Sequence, residues 1–573
     1  MPDREAQPAV RTEAILVFLG GLLLFAVAIP GREFIQVECR WAMFAREWLA
    51  HGATFFPTVY GQPYPDYPPT YTLLTAILSR LTGGVNVFSV ALPTAACAAA
   101  TLALTYALGV ALVSRRAAWC AVALELLTVG FVTTARSVYL DHAVAAVTVA
   151  GVLVMHSAHE RNRPWRLVGV VCLLAVGLLF RGPVGVAVPG AVFVLYYAAM
   201  GRYRLMFGTG VVVAALLGLG VAALHQAARL QAGDAFAATM AASQSYGRFL
   251  RPSSKPLYYY FVDGLGMYAL AFPLALVLLW PVRRRLFRWP APDETVRRQQ
   301  FLLLWMLVVP CGFTLPTGKH MQYILPMVPA AALLAAWLLT QPEPGRLQTR
   351  LWEGLLGAGR SAPAVGLVAV MAGWIAPRFH AAPALQELPL GVAAVVFLAL
   401  WAGQEWLCRQ WPARRDAVRL GGGVAAFGAA IILLIDPLQN GLERTAPFAR
   451  QVEAVRTPQE MLLFYRIGPD QGDIKFMANV ARLETPAFCQ SLEELITYRD
   501  AACVVIMRQR DVKTLPAWLV ARWERLADGN IGHQECSAFR VRRPAPAGTT
   551  VPSAPPRSSG AAPVDGTGRV RPG

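Results

Sequence analysis

Apolar runs of membrane-crossing length, broken by short polar stretches, occupy most of the chain, and from about residue 437 the runs shrink to strand length. About 20 consecutive apolar residues cross a bilayer as a helix, because every backbone group is then hydrogen-bonded within the segment. Runs of that order fall at 13–30, 85–113, 117–134, 139–157, 166–180, 183–199, 206–225, 262–281, 301–315, 321–340, 362–378, 388–406 and 418–436. They predict about thirteen transmembrane helices. An odd number puts the termini on opposite sides. The run at 13–30 is too long for a signal-peptide core and has no small-residue cleavage site, so it reads as a retained anchor behind a cytoplasmic N-terminus, 1–12.

A long connector, 31–84, separates the first two runs. Its stretches Trp41 to His51 and Thr70 to Leu81 are rich in aromatic and apolar residues and suit helices lying in the membrane interface. Between them YGQPYPDYPPTY, dense in Pro and Tyr, predicts a turn at headgroup depth. Beyond residue 437, MLLFYR (461–466) and CVVIMR (503–508) have the pattern of buried strands. SLEELITYRD and PAWLVARWERLAD have that of helices, and SAFRVRR that of a strand closing a small sheet. The fold class is thus an all-α polytopic membrane protein, with a transmembrane domain at 13–436 that includes the loop 31–84. A small α/β domain outside the cytoplasm follows at 437–543, and 544–573, rich in Pro, Gly, Ser and Ala, is expected to be disordered. No internal repeat is evident.

Composition agrees. Hydrophobic residues make up 56% and charged residues 15%, with a mean hydropathy of +0.45, so lipid is the main solvent. A net charge of +18 would also suit a nucleic-acid binder. The arginines, however, come in small groups between apolar runs, without stacking or groove-reading modules, so membrane lipid and not nucleic acid is the expected partner. Arg115 and Arg116, Arg161 and Arg163, Arg202 and Arg204, Arg283 to Arg288 with Arg297 and Arg298, Arg346 and Arg350, and Arg409, Arg414 and Arg415 fall in alternate loops. The positive-inside rule makes those loops cytoplasmic. The loop 31–84, the Arg181 turn, 226–261, the Lys319 turn and the C-terminal region then face outward, toward the periplasm of an inner-membrane protein.

The chemically suggestive residues lie in this outward set. An ionisable group at mid-bilayer costs on the order of 3 kcal/mol, so carboxylates at span ends point to a water-exposed site at one face. Glu38 and Asp141 suit the deprotonation of an acceptor hydroxyl if the fold brings them to one cleft. Each also has a structural reading, Glu38 as a helix N-terminal charge and Asp141 as a cap or a partner of Arg136. Asp66 is a third carboxylate, or a turn former. Arg181, Arg248, Lys255 and Lys319 are outer cations suited to a phosphate, or to lipid headgroups. Lys255 and Lys319 are two of only four lysines in the chain.

Nine cysteines show no paired metal or haem spacing; Cys97, Cys120, Cys172 and Cys311 read as packing residues. Cys489, Cys503 and Cys536 allow one disulfide if their region faces an oxidising compartment. His142, His225 and His320 lie near outer span ends. A divalent metal ion, with Asp66 or Glu38 as carboxylate partner, is an option that their spacing matches to no known motif.

The stretch Glu38-Cys-Arg40-Trp-Ala42 with Arg46 and Glu47, then Tyr64-Pro-Asp66-Tyr-Pro68-Pro69, Arg136 through Asp141, Arg181-Gly-Pro183-Val-Gly185, KPLYYY at 255–260 with Pro273, and Lys319-His-Met-Gln-Tyr323-Ile-Leu-Pro326-Met-Val-Pro329 occur in consistent order. This set resembles the GT-C membrane glycosyltransferases of the protein O-mannosyltransferase and aminoarabinose (lipid A) transferase type. The resemblance covers roughly residues 13–340; beyond that only the architecture agrees. It implies transfer of a sugar from a polyprenyl-phosphate-linked donor at the outer face. It also implies that Tyr323 joins the phosphate-binding set and that Arg40, Tyr64 and Tyr259 contact substrate. Two departures stand out. Val37 occupies the place of the aspartate in the family's usual Asp-Glu pair, which leaves Glu38 to substitute, and Tyr67 and Arg181 stand where lysines are usual. They point to a donor or acceptor different from those of the better-known members.

The leading expectation is an inverting glycosyltransferase, with Glu38, and Asp141 as second candidate, taking the acceptor proton while the outer cations stabilise the departing phosphate. The acceptor is a lipid, polysaccharide or protein. A transporter or lipid flippase for an isoprenoid-phosphate lipid is the rival, although it calls for polar residues at the bilayer midplane. A non-catalytic relative that keeps the lipid site is a third reading.

Overall fold

The computed structural model describes residues 6–541 except Asp66, 245–254, 289–290, 317, 377–384, 386–387 and 470–471. The helix α1 (Ala6–Ala26) leads into the long first connector, which folds as α2 (Glu38–His51), a small hairpin β1–β2 (Thr58–Val59, Gln62–Pro63) and α3 (Thr70–Leu81). Both connector helices therefore form where their sequence suggests. Tyr60 and Gly61 take the two hairpin loop positions with φ of 55° and 72°, the left-handed pair that a tight hairpin needs. Glu47 on α2 accepts the Gly61 N–H at 3.1 Å and holds the hairpin down.

Then come α4 (Val87–Leu112), α5 (Arg115–Leu126), α6 (Val129–Ala135), α7 (Asp141–Glu160), α8 (Leu167–Arg181), α9 (Val184–Ala199), α10 (Tyr203–Gln244), α11 (Tyr259–Met267) and α12 (Ala271–Leu286). Among the described residues nine helices are long and apolar enough to cross a membrane, or eleven if two bent pairs each count as one span. The thirteen expected runs all meet helices, and the difference lies in four of them. The run 117–134 is α5 and α6, bent by 69°, and 262–281 is α11 and α12, bent by 116°. α9 has 16 residues, short for a bilayer. Glu294–Thr314 opens with Glu294, Arg297, Arg298, Gln299 and Gln300, so its first turns are polar. A bend changes no residue's hydropathy, which is why the apolar pattern cannot reveal it.

Val328–Leu339 is buried at every position, the mark of a helix at the centre of a bundle, and α4, α5, α12 and Glu294–Thr314 pack around it. The outer loop expected at 226–261 is a second correction. α10 runs on through Gln244, with a break at Ala232 and Gly233, whose φ is 81°. Gln231 holds the connector: its side chain accepts the Phe56 N–H at 2.8 Å and donates to the Phe56 carbonyl at 2.9 Å.

Residues 461–541 build one sheet from β3 (Met461–Tyr465), β4 (Ala487–Cys489), β5 (Cys503–Arg508), β6 (Trp523–Ile531) and β7 (Gln534–Val541), in the order β4-β3-β5-β7-β6. β3 runs parallel to β4 and β5, while β7 is antiparallel to both of its neighbours. The segment PAWLVARWERLAD, expected to be a helix, is helical only over Ala517–Val520; Trp523 to Asp528 belong to β6. Its apolar spacing fits a helix face, but pairing with β7 through the Gly532 turn overrides it. One face of the sheet, with Leu462, Phe464, Val504 and Ile506, shares a core with Trp41, Met43 and Phe44 of α2. All nine cysteines are free, so the disulfide allowed among Cys489, Cys503 and Cys536 does not form. These three are buried in the sheet, and burial pushes the Cys536 thiol up to about 12.

Candidate active site

Asp141 is the first residue of α7 and Arg181 the last of α8. Gly182, with φ of 63°, ends α8 in the left-handed turn that glycine allows. At the crossing of α8 and α9 a Cβ on Gly177 would run into the Gly185 carbonyl oxygen, so these two glycines set the tight turn that carries Arg181. The carboxylate thus lies at the positive end of one helix and the guanidinium at the negative end of the next, each favoured by its dipole. Arg181 Nε stands 3.5 Å from Asp141 Oδ1, with side chains 10% and 4% exposed. Tyr67 and Tyr323 flank the guanidinium, their ring centres 5.7 and 5.5 Å from it. Tyr64 stacks on Tyr67 at 6.1 Å, and Arg40 lies over Tyr64 at 5.0 Å. His320 sits against Tyr323 at 5.2 Å.

Lys255 and Lys319 clasp two segments beside this cluster. Lys255 Nζ donates to the Lys319 carbonyl at 2.8 Å and to Tyr259 Oη at 2.9 Å. Lys319, a residue only 3% exposed, donates back through Nζ to the carbonyls of Lys255 and Pro256, each at 3.2 Å. Tyr268 hydroxyl donates to the Met321 carbonyl at 2.5 Å and steadies the same turn.

Glu38 is fully enclosed at the start of α2. It pairs with Arg32 and accepts the Ile35 N–H at 3.2 Å. Burial holds its carboxyl above the ordinary range, against the Arg32 charge, which pulls it down. Arg32 also donates to the Arg136 carbonyl at 2.8 Å. Arg136, 1% exposed, gives Asp436 bonds of 2.9 and 2.7 Å and reaches the carbonyls of Leu24, Phe25 and Val27. The partner of Arg136 is therefore Asp436, not Asp141 as the sequence spacing suggests.

Asp66 and Arg248 fall outside the described residues. His142 is buried, with Nε2 2.8 Å from Thr134 Oγ1, and His225 lies on α10 in a separate cavity with Pro183 and Met240. Among the described residues no three His, Cys, Asp or Glu side chains gather around a possible metal position. Sequence reasoning missed Tyr67 as an aromatic neighbour of Arg181, the braces Arg32 and Asp436, and Glu125. Glu125, fully buried on α5 and hydrogen-bonded by Thr105 at 3.0 Å, is visible in the sequence as an acid inside an apolar run.

The model of the family described as dolichyl-phosphate-mannose-protein mannosyltransferase matches residues 66–226. A curated relative from Pectobacterium carotovorum, an undecaprenyl phosphate-alpha-4-amino-4-deoxy-L-arabinose arabinosyl transferase, is 26% identical over 343 residues. The match spans 57% of this chain and 59% of that relative's length. The crystal structure of ArnT from Cupriavidus metallidurans bound to undecaprenyl phosphate superposes with a TM-score of 0.69 at 17% identity, over 91% of this chain and 97% of that one. The chain shares the fold of that ArnT. The apo form of the same ArnT superposes with a TM-score of 0.66 at 17% identity, over 92% and 98% of the two chains. Within this fold, the Asp141–Arg181 cluster brings together residues from the first connector, α7, α8 and the Lys319 turn.

Proposed function

We propose that the chain is an inverting glycosyltransferase that moves a sugar from a polyprenyl-phosphate-linked donor to a lipid, polysaccharide or protein acceptor at the outer, periplasmic face of the inner membrane. The observation that carries this reading is the shielded Asp141–Arg181 pair held between Tyr67 and Tyr323. A guanidinium bordered by aromatic rings suits the bidentate binding of a phosphate, and an adjacent carboxylate can receive the proton of an attacking hydroxyl. The names of the relatives support the donor class, since one acts with undecaprenyl phosphate-linked aminoarabinose and another is solved with undecaprenyl phosphate.

In this reading Asp141 is the base and Arg181 stabilises the departing lipid phosphate, where negative charge develops. Lys319 and Lys255 hold the Tyr259 and Tyr323 segments in register and add positive potential. Arg40 and Tyr64 border the sugar. Glu38, Asp66 and Arg248 remain candidates for the same machinery, with Glu38 second to Asp141 because Arg32 and the Ile35 N–H already engage its carboxylate. The test is transfer from a radiolabelled polyprenyl-phosphate sugar in proteoliposomes. Arg181→Ala is expected to weaken donor binding by about 2 kcal/mol, roughly thirtyfold; unchanged donor affinity overturns the phosphate role.

A further inference from the structure

The carboxyl edge of the outer sheet holds a cavity of about 270 Å³ lined by Arg508, Gln509, Arg510, Gln534 and Glu535. Arg508 ends β5 opposite Cys536 of β7, and paired residues share a face. Cys536, Val504 and Ile506 all belong to the core shared with α2, so Arg508 and Gln534 project from the face turned to the membrane domain. The edge also lies where that domain begins: the Gly532 N–H donates to Thr445 Oγ1 at 2.8 Å, and His533 Nε2 is 3.7 Å from Glu443 Oε1, the last residue of the final span. Asp511 is engaged by Arg466 at 3.6 Å. Among the described residues neither Arg508 nor Arg510 has a carboxylate within 4.0 Å, although Glu535 lines the same cavity. Arg508 Nε is shielded from solvent and makes no hydrogen bond. A half-buried guanidinium with an idle donor, beside a second arginine at the carboxyl ends of parallel strands, is built to receive an anion.

We propose that Arg508 and Arg510 form a second anion site, separate from the Asp141–Arg181 cluster, that docks the phosphate of a membrane lipid headgroup against the outer domain. Its depth follows from the neighbouring end of the last span, which brings the cavity to the headgroup layer. Gln509 and Gln534 supply neutral donors, and Glu535 favours a phosphate whose lipid also carries a hydroxyl or amine.

Hydrogen exchange on the full-length protein tests this in nanodiscs of phosphatidylcholine alone and of phosphatidylcholine with phosphatidylglycerol. Phosphatidylglycerol is expected to slow exchange in 508–512 and 532–536, and each arginine removed weakens lipid binding about fivefold. Arg508→Gln with Arg510→Gln should abolish the protection, and Arg510→Gln alone, at an exposed position that folding does not need, should reduce it. Equal exchange in the two nanodiscs, or protection that survives in both variants, overturns the site. Inorganic phosphate at millimolar concentration in phosphatidylcholine nanodiscs should leave exchange unchanged. Full protection by it would overturn the lipid assignment in favour of a free anion. No arm measures sugar transfer, so failure here is distinct from failure of the transferase reading.

Discussion

Asp141 and Glu38 each begin a helix, each face an arginine and each are nearly hidden from solvent, yet their surroundings differ in kind. Glu38 closes a network. Its arginine partner is shared with the Arg136 carbonyl, and Arg136 reaches the end of α1 and Asp436 on the last membrane helix. Asp141 meets its arginine at 3.5 Å, and two tyrosine rings border that guanidinium. A network cross-linked by several hydrogen bonds and ion pairs resists rearrangement, because moving one member strands the others in a low-dielectric interior. A looser pair can exchange one partner for a ligand at little cost. The first arrangement suits holding helices together, and the second suits chemistry.

Neutralising each carboxylate without changing its shape is the sharpest way to break the comparison. Asp141→Asn is expected to lower sugar transfer about a thousandfold, within the range for loss of a general base, while thermal unfolding in detergent stays near that of the parent protein. Turnover within a factor of a few of the parent would remove Asp141 as the base. Glu38→Gln is expected to act on the fold instead. It replaces one carboxylate oxygen by an amide nitrogen that cannot accept from Arg32 or the Ile35 N–H, leaving a buried donor without its acceptor at a cost of about 1 to 3 kcal/mol, read as a fall in the unfolding midpoint. A variant that unfolds like the parent but no longer transfers sugar would exchange the two roles.

A smaller effect sharpens what Arg181 contributes. Arg181→Lys keeps the positive charge but gives up the planar fork and much of its stacking on Tyr67 and Tyr323. Donor affinity is expected to fall about tenfold, or about 1.4 kcal/mol, with the chemical step nearly unchanged. Isothermal titration with the lipid phosphate, beside single-turnover transfer, separates binding from chemistry. If lysine binds as well as arginine, only charge matters at this position.

How far the sequence reaches depends on whether a feature is local. The membrane helices are legible because apolar runs report solvation residue by residue, and the connector helices because their aromatic and apolar stretches do the same. Asp141 and Arg181 are legible as charges at span ends, but not as partners: they stand 40 positions apart in the chain, and only the packing of α7 against α8 joins them. Arg136 shows the opposite error. Its nearest acid in sequence is Asp141, one helical turn on, whereas its partner in space is Asp436. Tyr67, noticed as a lysine that is absent, stacks with Tyr64 and borders Arg181. β6 is hidden because its apolar spacing satisfies a helix, and only its long-range pairing with β7 decides otherwise.

A pair in the outer domain, nearer to water, calibrates the two buried ones through pH. Burial alone would raise Glu460, but the Arg540 guanidinium, at 2.6 Å, and the Thr457 N–H, at 2.7 Å, hold it below the ordinary carboxylate range. A carboxyl lowered by folding stabilises the native state above its unfolded value near 4.5, and that contribution is lost as pH falls through the lower folded value. Glu38 has the opposite sign. Raised by burial, it favours the fold while protonated, and its contribution is lost as pH rises from about 4.5 through the higher folded value. Acidification below about pH 4.5 should therefore loosen the outer domain at Glu460 and leave the Glu38 network intact. Glu460→Gln is expected to cost about 1 kcal/mol at pH 7 and to flatten the acid limb of the stability curve. Limited proteolysis after residue 455, followed from pH 7 to pH 3, reads the outer domain; exchange at 32–40 reads the Glu38 network. Simultaneous loss of both on acidification would mean that the outer domain braces Glu38 through α2, and the two regions would then have to be treated as one cooperative unit.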